Sequence, residues 1–403
     1  MSEQVRKVNA GPGDKSNSGD WQPIPANWCR MTLRERWRRQ MHYQRVDRIP
    51  NFEFGYWDET LKEWHKQGLP ESVNNERRAY AYFGIENWRT AGPNVGLQPA
   101  FETRVLEETD EYIIVCDSER ATYKQWKGRT RTIPHYIRYG IQNRADWELF
   151  RERLNPETPR YPADWEQRVE EYRRRDYPLA IGIGSLIGKP RNWVGFENIA
   201  IMAYDDPALL EEIIETVTNC IEHSIVRALK DVEFDFAAGW EDICFRSGPL
   251  LSPAMFDRWL VPRYRRITDL LHKHGVHIAW TDCDGNVVPI VPQFLRGGIN
   301  CMFPVEVAAG SDPIAMRHQF GEELLLHGGV NKRALSKGFK EIRAEIERLL
   351  PLVRQGGYVP HIDHRCPADV PLRNYKYYLK LKREIFGAGD LLPHYDERDP
   401  ARF

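Results

Sequence analysis

The sequence predicts an α/β fold in which parallel strands, each followed by a helix, close into a barrel. Three observations carry that expectation. From Pro178 to Phe386, six short apolar strands alternate with helices of eight or more residues, the order of a β/α barrel. A further candidate strand, Arg48 to Phe54, brings the tally toward eight. No Gly-x-Gly-x-x-Gly turn follows the first strand, which weighs against an open doubly wound sheet.

The elements follow in order. Residues 1–25 are polar and rich in Gly, Ser and Asn, with no apolar signal core, and read as a disordered tail. Thr32 with Glu35 three residues on forms a capping box that starts a helix. Between Phe101 and Tyr139, β-formers alternate with polar residues (Tyr112 to Val115, then Thr130 to Ile137), which predicts hairpins inserted over about 95–145. Charged helices are expected at Glu148 to Leu154 and Asp164 to Arg175. The regular alternation then begins, with strands at 179–184, 234–239, 276–281, 298–303, 324–327 and 358–362. Helices are expected at 207–229, 252–274 (entered through Ser252-Pro253), 287–295, 312–320, 337–350 and 368–386. A single barrel domain over 26–390 and a tail over 391–403 complete the organisation.

Composition excludes several functions. Lys plus Arg is 57 against 58 for Asp plus Glu, a net charge of −1, so no global field draws the chain to nucleic acid or an anionic membrane. No apolar run approaches the ~20 residues that span a bilayer. The seven cysteines are scattered without a Cys-x-x-Cys pair, which points to reduced thiols in the cytoplasm rather than a disulfide framework or a zinc ribbon.

In a β/α barrel, chemistry sits where strands end at their C-termini. The most informative such end is Trp280-Thr-Asp-Cys-Asp-Gly-Asn286. Residues two apart on a strand face one side, so Asp282 and Asp284 share one space, where their repulsion calls for a cation or a shared proton. The other strand ends bring Glu53, Tyr56 and Trp57; Lys189 and Arg191; Trp240, Glu241 and Asp242; Glu306; His327 with Gly328 and Gly329; and His361, Asp363 and His364. Asp282 and Asp284 with one histidine would make a metal site of two oxygens and a nitrogen, which zinc accepts with one position open. His364 is placed as that ligand by its position just past the strand, with His361 and Cys366 as alternatives. Glu306 and Glu241 are candidates to manage a proton, with Asp242 beside them. Arg191 could grip a carboxylate or phosphate. Glu53, Tyr56, Trp57, Trp240, His327 and His361 are candidates to line the substrate pocket.

At these residues the chain resembles the uroporphyrinogen decarboxylase-like superfamily, over about Thr32 to Phe386. The resemblance rests on Thr32-Leu-Arg-Glu-Arg36 with Arg45-Val-Asp-Arg-Ile-Pro50, Gly195-Phe-Glu197 with Asp205-Asp-Pro207, and Glu241-Asp242 with Gly248-Pro-Leu-Leu-Ser-Pro253. Asp282 to Asn286, Pro304 to Gly310, Gly328 to Arg333 and Gly356 to His364 extend it. It implies a distorted (β/α)8 TIM-like barrel. True decarboxylases of this group carry an Arg-Gln-Ala-Gly-Arg stretch near the N-terminus, whereas Asn51 to Trp57 here has no arginine. The methyltransferase branch carries His-x-Cys and a later Cys as zinc ligands. Here Asp282 and Asp284 replace the first pair and the His361 to Cys366 segment replaces the last ligand. Harder ligands suit an ether or hydroxyl oxygen better than a thiol. The resemblance therefore implies a methyltransferase of the O-demethylase type, moving a methyl group from a small methoxylated or other oxygenated donor to a corrinoid. The chain has no Asp-x-His-x-x-Gly motif, so the corrinoid would sit on a separate partner protein, and a homodimer stays open. Two rivals are a metal-dependent lyase, hydrolase or decarboxylase acting on a sugar or small acid without corrinoid, and a non-catalytic binding protein on the same barrel.

Overall fold

The computed structural model describes residues 31–127 and 134–387. Helix α1 (Leu33–Met41) begins where the sequence says it should, with Thr32 Oγ1 accepting from Glu35 N at 3.1 Å. α2 (Asp58–Lys66) and α3 (Glu76–Phe83) follow. A strand β1 (Arg89–Ala91) then leads to a projecting antiparallel sheet of β2 (Arg104–Glu108), β3 (Tyr112–Cys116), β4 (Thr122–Trp126) and β5 (His135–Arg138). This is the expected insertion. Part of its expected Thr130 to Ile137 strand lies outside the described residues, as do both expected tails.

After α4 (Arg144–Arg153) and α5 (Trp165–Arg173) comes β6 (Leu179–Gly184), then α6 (Gly188–Val194), α7 (Phe196–Asp205) and α8 (Pro207–Asp231). β7 (Phe236–Trp240) is followed by a small hairpin of β8 (Cys244–Phe245) and β9 (Gly248–Pro249). Next come α9 (Pro253–Trp259), α10 (Val261–Lys273), β10 (Ala279–Asp282), α11 (Val291–Arg296), β11 (Cys301–Phe303) and α12 (Pro313–Phe320). The chain continues through β12 (Leu325–His327), α13 (Lys332–Lys337), α14 (Phe339–Gln355), β13 (Tyr358–Val359) and α15 (Leu372–Phe386). Seven strands form one parallel sheet in the order β1-β6-β7-β10-β11-β12-β13. The fold is a distorted TIM-like barrel.

Three expectations need correction. The first barrel strand is Arg89–Ala91, not Arg48 to Phe54. Pro50 brings no N–H, and its neighbour Asn51 gives its own N–H to Glu86 Oε2 at 2.8 Å, so no ladder forms there. Instead this segment closes the barrel as irregular chain: Glu86 N donates to Asn51 O at 3.0 Å, and Cys366 N donates to Gly55 O at 2.9 Å. The expected helix 252–274 divides at Leu260, ahead of Pro262, into α9 and α10. α6 and α7 fill a stretch assigned no helix from the sequence.

The closing segment is fastened from inside. The fully buried Lys382 Nζ donates to Phe52 O at 2.6 Å and pairs with Glu53 Oε1 at 2.8 Å, and Tyr378 OH donates to the same Glu53 oxygen at 2.6 Å. The barrel interior is largely aromatic: Trp37, Phe52, Phe236, Trp280 and Phe303 form one buried cluster, with Phe54 and Trp88 packed against it while partly exposed. No described helix is long and apolar enough to cross a membrane.

Candidate active site at the barrel mouth

The parallel register brings the strand ends to one face. Asp282 pairs with Trp240 across β7 and β10 and with Phe303 across β10 and β11. His364, past the end of β13, lies with its Nε2 3.1 Å from Asp284 Oδ2. The other carboxylate oxygen of Asp284, Oδ1, is buried without any partner. Asp282 makes no side-chain hydrogen bond among the described residues. Burial, with Asp284 and Asp242 as like charges beside it, pushes its carboxyl well above the usual range, against the pull of Arg365. Two of the three expected metal ligands, Asp284 and His364, therefore meet directly, and the third faces the same space. The donor set of carboxylates and an imidazole suits a divalent ion in type. Among the described residues, no three such side chains yet stand close enough together to hold one. An ion would have to draw Asp282 toward the Asp284–His364 pair.

Aromatic rings wall this corner. Trp57 stacks on the His364 ring at 5.5 Å, and Phe54 meets it edge-on at 5.4 Å. Phe54 also packs on Phe303 at 4.6 Å. Glu306 meets the turn after Asp284, its Oε1 2.8 Å from Lys332 Nζ and its Oε2 accepting from Gly285 N at 3.2 Å. Asp363 accepts from Val307 N at 3.0 Å and Lys332 N at 3.1 Å, tying three strand ends together. Gly328 (φ +105°) lets the chain pass close to Pro304: a Cβ there would lie 2.0 Å from the Pro304 carbonyl oxygen.

Other expected site residues are placed differently. Glu241 is wholly engaged in bracing. It accepts from Leu186 N (2.8 Å), Ile187 N (2.9 Å), Gly188 N (2.8 Å), Ser185 Oγ (3.0 Å) and the Tyr264 hydroxyl. A carboxylate so occupied has no face to offer a substrate, which corrects its expected proton role. Arg191 donates to the Asp242 carbonyl and lies 3.4 Å from its carboxylate, with its guanidinium 5.3 Å over Trp240. It is committed to holding Asp242, which sits in the left-handed region at φ 43°. Glu53 belongs to the buried Lys382 fastening. Tyr56 is buried, its hydroxyl 2.7 Å from that of Tyr375 among Trp64, Tyr80 and Phe83. Both are core groups, not pocket walls. His327 and His361 lie inside the barrel, fully buried, 2.8 Å apart.

The sequence reading assigned no role to Phe54, Trp88, Lys332 or Arg365. Trp88 immediately precedes the true first strand, so placing that strand earlier hid it. Phe54 follows Glu53 and Arg365 follows His364, and the turn of the backbone, which no local sequence pattern announces, decides which neighbour meets the mouth. A separate cleft of about 200 Å³, lined by residues including Thr90, Pro93, Trp165, Arg168 and Tyr172, brings none of the mouth residues with it.

Residues 170–385, more than half of the chain, match the family model described as Uroporphyrinogen decarboxylase (URO-D). A curated relative, the uroporphyrinogen decarboxylase of Campylobacter lari, is 22% identical over 187 residues, covering 45% of this chain and 51% of the relative. The chain thus spans about half the length of that relative. A solved structure, a methyltransferase from Methanosarcina mazei, superposes with a TM-score of 0.55 at 17% identity, covering 88% of this chain and 99% of that one. At that identity the likeness establishes the shared fold.

Proposed function

The chain belongs to the uroporphyrinogen decarboxylase family, and on that premise we propose that it is a metal-dependent methyltransferase of the O-demethylase type. The donor would be a small methoxylated compound, the acceptor a corrinoid carried by a separate protein. One observation carries this reading: the Asp284–His364 pair, with a buried and partnerless Asp284 oxygen and with Asp282 facing it, opens against a wall of aromatic rings. Unpaired carboxylates at a buried site are costly unless a cation or a substrate group completes them.

Asp282, Asp284 and His364 would hold the ion, zinc being the first candidate. When bound, it would supply Lewis acidity to the oxygen that leaves as the methyl group departs. Trp57 and Phe54 offer flat apolar surface to an aryl donor and exclude water from one side. Lys332 Nζ, held 2.8 Å from Glu306 Oε1, is our candidate proton source for the leaving oxygen, in place of Glu241. The family's decarboxylase activity is not favoured, because Asn51 to Trp57 brings no arginine to grip substrate carboxylates.

The test has two parts. Elemental analysis after dialysis against a weak chelator is expected to find about one divalent metal per chain. A folded Asp282→Ala, Asp284→Ala double variant that retains the same metal would remove these ligands. With methoxylated aromatics and cob(I)alamin, free or on a corrinoid protein, the absorbance of methylcobalamin is expected to grow, and the protein without an acceptor should turn over nothing. Consumption of a sugar or carboxylic acid without corrinoid would replace this reading with a lyase, hydrolase or decarboxylase.

A further inference from the structure

Three carboxylates share one corner of the mouth, and they are not treated alike. Asp242 leaves β7 beside the end of β10, its N–H donating to Asp282 O at 3.3 Å. Asp282 has both Asp284 and Asp242 beside it as like charges. Burial pushes the Asp242 carboxyl up, Arg191 pulls it back, and the charge of Asp284 adds to the rise. Of the three, Asp242 is the one gripped by a guanidinium. Arg191 Nη1 and Nη2 both lie 3.4 Å from Asp242 Oδ2, and Nη1 also donates to the Asp242 carbonyl.

That grip is itself held in place. Arg191 comes from α6, the helix after β6, and its Nη2 and Nε donate to Asn192 Oδ1 at 3.1 and 3.3 Å. Its guanidinium lies 5.3 Å over the Trp240 ring. Asp242 is kept in the left-handed region at φ 43°, a strained conformation for a residue with a Cβ. The Arg191 side chain is only 14% exposed and that of Asp242 31%, so water screens the pair only in part. Asp284 Oδ1, by contrast, is buried without a partner.

We infer that Arg191 is a specificity-determining residue for the metal: by reserving Asp242, it limits the ion to two carboxylates and one imidazole. This rests on the reading of Asp282, Asp284 and His364 as ligands and adds the residue that decides which ion they take. A divalent ion between two carboxylates is neutral, and so is the Asp242–Arg191 pair. An ion that recruited Asp242 would have to break that pair and leave a half-buried cation beside itself. Two oxygens, one nitrogen and an open position suit zinc. A third carboxylate would move the set toward the oxygen-rich coordination that manganese and magnesium prefer.

The test is calorimetry on the metal-stripped full chain with zinc and, separately, manganese, read as the ratio of the two dissociation constants. Arg191→Met frees Asp242 and is expected to shift that ratio toward manganese at least about tenfold. Adding Asp242→Asn to Arg191→Met is expected to return the ratio to that of the parent. Asp242→Asn alone should leave zinc affinity within about threefold of the parent. Should Arg191→Met fail to fold, Arg191→Gln, which can still donate to the Asp242 carbonyl but carries no charge, has the same expectation. A ratio unmoved by loss of the arginine would overturn the inference. So would a shift that persists in the double variant, because it would then come from the loop and not from the Asp242 carboxylate. Zinc binding lost in Asp242→Asn alone would make Asp242 a ligand and overturn it as well. A parent chain that binds neither ion would overturn the metal site itself, whereas a parent that binds zinc with an unmoved ratio loses only the role given to Arg191.

Discussion

Two carboxylates end neighbouring strands of this barrel and meet opposite fates. Glu241, past β7, accepts three backbone N–H groups and two hydroxyls. Asp284, past β10, has one contact, with His364, and one buried oxygen with none, while Asp282 beside it faces like charge. In the sequence both look alike: an acid directly after a short apolar strand. What separates them is the neighbouring loop. The turn from Ser185 to Gly188 aims its N–H groups at Glu241, so its charge is spent on joining β6 to β7. The Gly285 turn gives its N–H to Glu306 instead of to Asp284, so the charge there stays uncompensated. A satisfied acid is part of the scaffold, and an unsatisfied one marks where a ligand is needed.

The sharpest way to break that contrast is to remove Glu241. Glu241→Ala strands three N–H donors and the Tyr264 hydroxyl in the interior, and a loss of roughly 3–5 kcal/mol is expected. Glu241→Gln, which keeps one accepting oxygen, should lose clearly less. Urea denaturation with both variants measures this. If Glu241→Ala melts like the parent and loses only turnover, Glu241 is a site residue after all and the two acids are alike.

Asp282→Asn should act in the opposite direction. Its carboxyl is held above its ordinary value by burial and by Asp284 and Asp242, so the native state keeps a proton that the unfolded chain has released. Such a group destabilises the fold increasingly as pH rises above about 4. A neutral amide removes that term, and we expect the metal-free variant to be more stable than the parent at pH 8 while losing metal binding. Denaturation in the presence of a chelator, beside elemental analysis, reads both. A variant that is less stable at pH 8 would place Asp282 with Glu241 among the braces.

Much of the fold was legible because periodicity and strand-end chemistry are local signals. The β6, β12 and α8 boundaries, the Thr32 cap and the inserted hairpins all follow from them. The first barrel strand was not legible, since Arg48 to Phe54 has the composition of a strand and only its pairing with Glu86 and Cys366 decides otherwise. At the site, the meeting of Asp284 with His364 could be expected once strands β10 and β13 were put in one barrel. The bracing of Glu241 and Arg191 could not, because it depends on loops from β6 whose path the sequence does not encode in any local pattern. Tyr56 and Glu53 failed for a related reason: a strand-end position says which face a residue is near, and α15 then packs over it.

The His327–His361 pair offers a third case against which to sharpen the contrast, since its groups are buried, close together and uncharged. His361 has its pKa lowered to about 3 and His327 is lowered as well, so the native state refuses protons that the unfolded chain takes up near pH 6.5. For a depressed pKa the stabilising contribution is complete above about 6.5 and is lost as pH falls through that value. Each imidazole should therefore remove about 1 kcal/mol of stability between pH 6.5 and pH 5.5. The effect is smaller than the loss of Glu241 and has the opposite pH sense to that of Asp282. His361→Gln keeps a polar side chain that can still pair with His327, and it should roughly halve the acid slope of denaturation midpoints measured across that window. An unchanged slope would mean that the pair is protonated in the native state. The difference between a satisfied group and an unsatisfied one would then have to be drawn from Glu241 and Asp284 alone.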